Sequence, residues 1–168
     1  MPLGQTSNPQ LQQAEQAIQA KIPQQLQGAF AKVVHAGLTI LYSPQLRAKL
    51  QQRISQGGNV VQDASQGAIR MVFELYKQSG NKIPQPLLVP AAIIFAFEYL
   101  DLVAQAGKVP ITPNVIAQVA QATGQAFLQA AGVSQQKLQQ MAAQRQQGGA
   151  QPGTAPGGLI GSQMQGAQ

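Results

Sequence analysis

The sequence predicts an all-α fold: a small bundle of about five to seven helices with a loose Gly/Pro/Gln-rich C-terminal tail. Glycine and proline divide the chain into helix-length segments, and no segment shows the sustained polar–apolar alternation that indicates a strand. With 168 residues and 44% hydrophobic content, the chain can build one domain with a real core. We expect residues 1–22 to be a weakly helical Gln/Ala-rich segment, 23–147 to be the bundle domain, and 148–168 to be extended or disordered unless partners order them.

Four helices are expected in the first half of the chain. The first runs from about Pro9 to Ala20 and is mostly Gln and Ala, and the second, from Gln24 to Leu41, carries an apolar stripe. Ser43-Pro44 supplies an N-cap and a first-turn proline for a short basic helix that ends at Gly57-Gly58. A fourth helix, from about Asn59 to Gln78, has one apolar and one polar face.

Three further helices are expected in the second half. The segment from Pro84 to Pro90 should be irregular or extended, because a proline disfavours the helical conformation of the residue before it. The most hydrophobic helix follows, from Pro90 to Ala106. Thr112-Pro113 repeats the combination of cap and proline and begins a helix that stops at Gly132. A last helix is expected over about 135–147.

Two of the helix ends share a local pattern. Gly80 precedes Lys82-Ile83-Pro84, and Gly107 precedes Lys108-Val109-Pro110. A left-handed glycine, a cation near the helix C-terminal dipole and a proline that bars continuation together form a helix stop. We therefore interpret both patterns as stops and not as recognition motifs.

The helix from Pro90 to Ala106 is apolar around most of its circumference. Glu98, Asp101 and Gln105 fall within a wedge of about 60°, and the remaining surface is almost entirely apolar. Such a helix is surrounded by neighbours, either as the central helix of the bundle or as an element buried on assembly. The candidate residues for burial in an oligomer are Ile93, Ile94, Phe95, Phe97 and Leu100.

Glu98 and Asp101 also form the closest pair of carboxylates in the sequence. Held on one helix face, two carboxylates can have raised pKa values and can act in acid–base chemistry or bind a cation. The favoured interpretation is structural: the pair forms the narrow solvated edge of a buried helix, bonded to Tyr99, Lys108 or an arginine of another helix.

Composition argues against an enzyme. The chain has no cysteine and a single histidine, His35, which we expect on a helix surface or in a C-terminal turn. This composition nearly excludes zinc sites and Ser-His-Asp chemistry, and the glycine pairs lack the lysine and spacing of a phosphate-binding loop. We predict no catalytic, metal-binding or cofactor-binding residues, no cofactor and no small-molecule substrate.

Polar surfaces are the candidate functional features. About one residue in five is Gln, whereas charged residues make up 10%. Amide side chains both donate and accept hydrogen bonds, so neutral faces of this kind favour packing against copies of the same chain. The candidate residues for contact with a polar partner or nucleic acid are Gln118, Gln121, Gln125 and Gln129 and the basic residues Arg47, Lys49 and Arg53.

The net charge of +6 is concentrated between Ser43 and Lys82, where six basic residues face two acidic ones. Aromatic residues for base stacking are missing around Arg47, Lys49 and Arg53, so non-specific contact with the DNA backbone is the most that this group predicts. The start of the chain does not have the pattern of a signal peptide, and the apolar run from Leu87 to Phe97 is too short for a membrane span. Exposure of that run to lipid is a further hypothesis.

The small size, the lack of Cys, the Ala/Gln/Gly richness, the sparse charge, the helical pattern and the loose tail resemble the minor virion proteins of tailed bacteriophages. The resemblance is closest to the ejection, or internal head, proteins of short-tailed phages. It is compositional and assigns no role to individual residues. It implies a virion location, assembly in multiple copies near the portal or tail, and release with the genome to help build a conduit through the host envelope.

The partners expected from the resemblance are the chain itself as a homo-oligomer, portal or tail components, non-specific DNA, and the host membrane after release. The alternative is a capsid, neck or tail adaptor or decoration protein whose tail segment threads onto neighbouring subunits.

Overall fold

The computed structural model describes residues 6–107 and 109–132, except for the side chains of Gln51, Arg53 and Ile54. The predicted last helix and the tail lie outside these residues. Within them the fold has six α-helices, one short 3-10 turn and no strand, which confirms the all-α prediction. The helices are α1 (Pro9–Ala20), α2 (Gln24–Leu41), α3 (Pro44–Gln56), α4 (Val60–Gln78), α5 (Leu88–Gln105) and α6 (Pro113–Ala130).

The predicted helix starts are present with their caps. Ser43 Oγ accepts a hydrogen bond from the backbone N–H of Leu46 at 3.4 Å, and Thr112 Oγ1 accepts one from Val115 at 3.3 Å. In both helices a proline occupies the first helical position, where its missing N–H leaves no hydrogen bond unmade. Local sequence chemistry therefore fixes where α3 and α6 begin.

The start of α5 differs from the prediction of an irregular segment up to Pro90. Gln85–Leu87 form a 3-10 turn, and α5 begins at Leu88, two residues before the proline. The first N–H groups of a helix have no intrahelical acceptor, so a proline in the first turn removes no hydrogen bond. Val89 is therefore helical, although a following proline disfavours that conformation.

Both predicted glycine stops adopt the left-handed conformation. The φ angle is 65° at Gly80 and 69° at Gly107. The helix-stop interpretation is confirmed at these two positions, although Lys108 itself lies outside the described residues.

α5 is the central helix of the bundle. It packs against α1, α2, α4 and α6, and its most extensive contacts are with α4 and α6. Ile94, Phe95, Phe97 and Leu100 are buried in the core of the chain itself, and Ile93 is half-buried. Four of the five residues proposed for burial in an oligomer are therefore covered by the chain's own helices.

The crossing of α2 over α5 depends on a glycine. A Cβ added at Gly37 would overlap the ring of Phe95. The two helices can approach this closely because α2 has no side chain at that point. Phe73 and Phe127 form a second specific contact, a stacked ring pair between α4 and α6 with centroids 5.3 Å apart.

Length and composition would allow the segment Gln85–Gln105 to cross a membrane, but 72% of the apolar window is buried inside the fold. The run from Leu87 to Phe97 lies within it. In the folded chain this segment is a core helix, and its apolar side chains face other helices.

Candidate functional site

Three carboxyl groups lie together in the interior near one side of α5. Glu98 and Asp101 are 0% and 1% exposed, and Glu15 of α1 is 5% exposed. Glu98 and Asp101 are one helical turn apart, and α1 packs directly on α5 and brings Glu15 to the same region. We refer to Glu15, Glu98 and Asp101 as the acid cluster.

The hydrogen bonds of the acid cluster come from distant parts of the chain. Tyr42, at the end of α2, donates its hydroxyl to Glu98 Oε2 at 2.6 Å. The backbone N–H of Ser7 donates to Asp101 Oδ2 at 3.0 Å, and the Ser7 hydroxyl lies 3.2 Å from the same oxygen. Gln105 Nε2 donates to Asp101 Oδ2 at 2.7 Å. Tyr42 and Ser7 thereby join α2 and the entry to α1 to the central helix.

The expectation of a solvated edge on α5 is wrong at Glu98 and Asp101. Both carboxylates are buried because α1 and the residues before it cover that face. Gln105, the third residue of the polar wedge, is exposed. Periodicity located the polar face but gave no information on what covers it.

Burial raises the pKa of Glu15 to about 8, and the negative charge of Glu98 contributes further. Thr6 Oγ1 and Glu15 Oε1 are both buried without a hydrogen-bond partner among the described residues. A weaker interaction of the Thr6 hydroxyl with the carboxylate opposes the rise in pKa. Burial and the adjacent Glu98 carboxylate also raise the pKa of Tyr42, so its hydroxyl stays protonated and remains a donor. The raised pKa of Glu15 favours its protonated form at pH 7.

A protonated carboxyl beside carboxylates could donate a proton while a neighbour accepts one, as acid–base chemistry requires. In this fold, however, the acid cluster is closed to solvent. Neither the groove beside α3 nor the groove between α4 and α6 includes any of its carboxylates. Among the described residues, no three His, Cys, Asp or Glu side chains are arranged to hold a metal ion. The arrangement is that of a buried structural junction.

The glutamine stripe of α6 lines a groove against α4. The groove has a volume of about 590 Å³. Gln118, Gln121, Gln125 and Gln129 form one wall, so the structure brings all four predicted residues to one site. The opposite wall is formed by α4 and the residue before it, and its polar members are Asn59, Gln62, Ser65 and Gln66. Among the described residues, no charged side chain lines this glutamine groove.

A buried polar contact lies beneath the glutamine groove. The Thr123 hydroxyl donates to the carbonyl oxygen of Val119 at 2.7 Å and lies 3.1 Å from Ser65 Oγ. Ser65 in turn donates to the carbonyl oxygen of Val61 at 2.7 Å. Both hydroxyls are thus satisfied within the fold. Of the groove amides, Gln118 Nε2 donates to Asn114 Oδ1 at 3.5 Å and Asn59 Oδ1 accepts from the backbone N–H of Gln62 at 3.2 Å; the unused donors and acceptors of the glutamine stripe are left for water or a partner.

The basic residues of α3 lie elsewhere. Arg47 and Lys49 are exposed, and Lys49 is at the edge of an apolar groove between α3 and the α4–α5 surface. Arg53 belongs to α3, but its side chain lies outside the described residues. Arg47 and Lys49 therefore do not line the glutamine groove. His35 is exposed on α2, as predicted.

Sequence reasoning missed Glu15 as a member of the acid cluster, Tyr42 as a donor to it, and Gln62 as part of the glutamine groove. The signal for Glu15 was weak: it is the one charged residue in a helix of Gln and Ala, on the same face as Leu11 and Ile18. A carboxylate on the apolar face of a helix indicates a buried partner or a raised pKa.

No protein-family model matches the chain, and neither curated proteins nor solved structures show significant similarity to it.

Proposed function

We propose that this chain is a non-enzymatic assembly protein that works in multiple copies, and that its glutamine groove is the surface that receives a neighbouring chain. The observation that carries the proposal is the groove itself, in which polar side chains from two helices line one uncharged surface. The compositional resemblance supplies the setting: the particle of a tailed bacteriophage, near the portal or tail, with a role in genome ejection or conduit assembly.

Neutral amides suit a surface that must pack against protein without holding charged ligands. An amide can exchange its water for an amide or carbonyl of a neighbour, with a net gain of about 0.5 to 1.5 kcal/mol for each hydrogen bond. No buried charge has to be desolvated, in contrast to a charged interface. Within the described part of the chain, the groove also has none of the Lys and Arg side chains whose counterion release drives attraction to DNA.

Charge inserted into the groove tests its role in assembly. The double variant Gln121→Glu/Gln125→Glu should shift the chain toward monomer in sedimentation velocity, because two carboxylates would have to be desolvated at the interface. The matched control is Gln13→Glu/Gln16→Glu on the exposed part of α1. An oligomer that is equally stable in both double variants would contradict the groove as an interface.

The particle setting has a separate test. Mass spectrometry of purified virions should detect the chain in full particles and not in particles that have released their genome. A chain retained in emptied particles would instead support the adaptor or decoration role. Absence from both preparations would refute the virion assignment and leave the groove experiment to stand on its own.

A further inference from the structure

The apolar groove beside α3 has a volume of about 610 Å³ and is distinct from the glutamine groove. Leu46 and Leu50 of α3 form one side of it, and Ala68 and Met71 of α4 form the other. Phe95, in the middle of α5, also lines it. Ligand pockets in proteins commonly have volumes of about 300 to 1,000 Å³ and a mainly apolar lining. The groove has the size and the lining of a small-molecule site.

Small residues on α4 leave this space open. Gly67 and Ala68 face Leu46 and Leu50 across the groove, and a Cβ added at Gly67 would meet no atom within 4 Å. α3 has few contacts with the rest of the bundle, of which those with α2 are the main ones. The helix therefore stands off α4 at the place where α4 lacks a side chain.

The rim of the groove carries two cations. Lys49 and Arg70 lie on opposite sides of the rim, on α3 and α4, and both are exposed. Within the described part of the chain neither side chain forms a hydrogen bond or an ion pair. The acidic member of the rim is Glu74, which accepts a hydrogen bond from Gln78 Nε2 at 3.4 Å. Two cations over an apolar floor complement a ligand with an apolar chain and an anionic head.

We propose that the apolar groove between α3 and α4 binds an anionic amphiphile with a single acyl chain, with the chain against Leu50, Met71 and Phe95 and the head group between Lys49 and Arg70. The proposal does not depend on the glutamine groove or on the virion assignment. A carboxylate accepts hydrogen bonds from both cations, whereas an uncharged head group gains little from them. The acyl chain removes from water the apolar surface of the groove that the fold leaves uncovered.

The test is a calorimetric titration of the full chain with laurate, below its micelle concentration, and with 1-dodecanol as the uncharged analogue. Wild type should bind laurate saturably and more tightly than 1-dodecanol. The double variant Lys49→Gln/Arg70→Gln should bind laurate about fivefold more weakly, because each exposed pair contributes modestly. Glu74→Gln should tighten laurate binding, since it removes the like charge from the rim.

Filling the groove supplies the structural arm of the experiment. Gly67→Leu places a side chain in the open space of the groove and improves helix propensity, so the fold is retained while laurate binding is lost. Gly28→Leu, at an exposed position of α2 that also has no atom within 4 Å of an added Cβ, is the matched control and should bind as wild type does. The methyl resonance of Met71 should shift with laurate in the control and not in Gly67→Leu.

Three results would overturn the proposal. The first is no binding of laurate to the wild type. The second is equal affinity for laurate and 1-dodecanol, unaffected by Lys49→Gln/Arg70→Gln. The third is self-association of the wild type that Gly67→Leu abolishes without any laurate binding, which would make a second copy of the chain the occupant of the groove.

Discussion

The Tyr42 hydroxyl donates a 2.6 Å hydrogen bond to Glu98 Oε2, and this bond joins the end of α2 to the middle of the central helix. Glu98 is fully buried, so its carboxylate depends on protein donors in place of water. A hydrogen bond to a charged acceptor is stronger than one between neutral groups. The contact therefore stabilises the α2–α5 junction more than a hydrogen bond between two neutral groups would.

Removal of this hydroxyl should destabilise the fold. Tyr42→Phe keeps the ring and removes the hydroxyl that donates to the buried Glu98 carboxylate, at a cost of about 1 to 3 kcal/mol in the free energy of unfolding. Urea denaturation followed by far-UV circular dichroism measures the change. Tyr76→Phe is the matched control, because the Tyr76 hydroxyl makes no hydrogen bond among the described residues. Equal stability of the two variants would show that Glu98 does not rely on Tyr42.

The raised pKa of Glu15 predicts a stability that falls as pH rises. The unfolded chain releases this proton near the ordinary glutamate pKa of 4.5, whereas the folded chain holds it until about pH 8. Between these values the folded state binds the proton and the unfolded state does not, so the free energy of unfolding decreases with pH and levels off above pH 8. The loss should be on the order of a few kcal/mol, because each unit of difference between the two pKa values is worth about 1.4 kcal/mol.

Glu15→Gln removes this dependence. A neutral amide of the same shape should leave stability unchanged near pH 4 and should raise it at pH 8, where the wild type carries the cost of a buried acid. Thermal unfolding of both proteins from pH 4 to pH 9 measures the difference. Glu74→Gln, at an exposed carboxylate, is the control and should change stability by less than about 0.5 kcal/mol at any pH. Parallel curves for wild type and Glu15→Gln would rule out a perturbed Glu15.

The α2–α5 crossing predicts opposite effects for two glycines on one helix. Gly37→Ala would overlap the Phe95 ring and should cost about 2 kcal/mol or more, since the core must shift to admit a methyl group. Gly28→Ala meets nothing within 4 Å and should stabilise the protein by roughly 0.5 kcal/mol through better helix propensity. Chemical denaturation of both variants tests the pair, and a stabilising Gly37→Ala would contradict the close approach.

Local signals predicted the helices well because they act within a few residues. Ser43 and Thr112 cap their helices through bonds to residues three positions away, and Gly80 and Gly107 end theirs by their own conformation. Pro90 misled the prediction of the start of α5, because a first-turn proline and a helix-ending proline look alike in sequence.

The acid cluster could not be predicted in the same way. Glu15 and Glu98 lie far apart in the chain, and their proximity follows from the docking of α1 on α5, which no periodicity reports. One wall of the glutamine groove was predicted, because the stripe of α6 is visible in the sequence as spacings of three and four. The second wall, the polar face of α4, depends on the tertiary packing of the two helices. Sequence gives the faces of helices, and packing decides which faces meet.

The attachment of α1 should depend on Asp101. Its carboxylate accepts from the backbone N–H and the hydroxyl of Ser7 and from Gln105, so it holds the residues that lead into α1. Asp101→Asn replaces one acceptor oxygen by a donor and removes the charge, which weakens that hold while the volume is kept. Hydrogen exchange in the amides of α1 should accelerate about tenfold or more, because local opening becomes easier by about 1.4 kcal/mol or more.

Amides of α4 and α6, which pack mainly on each other and on α5, should exchange at the wild-type rate. The control Asp63→Asn, in the first turn of α4, should leave α1 unaffected. Uniform acceleration across all helices in Asp101→Asn would mean that Asp101 supports the whole core and not the docking of α1.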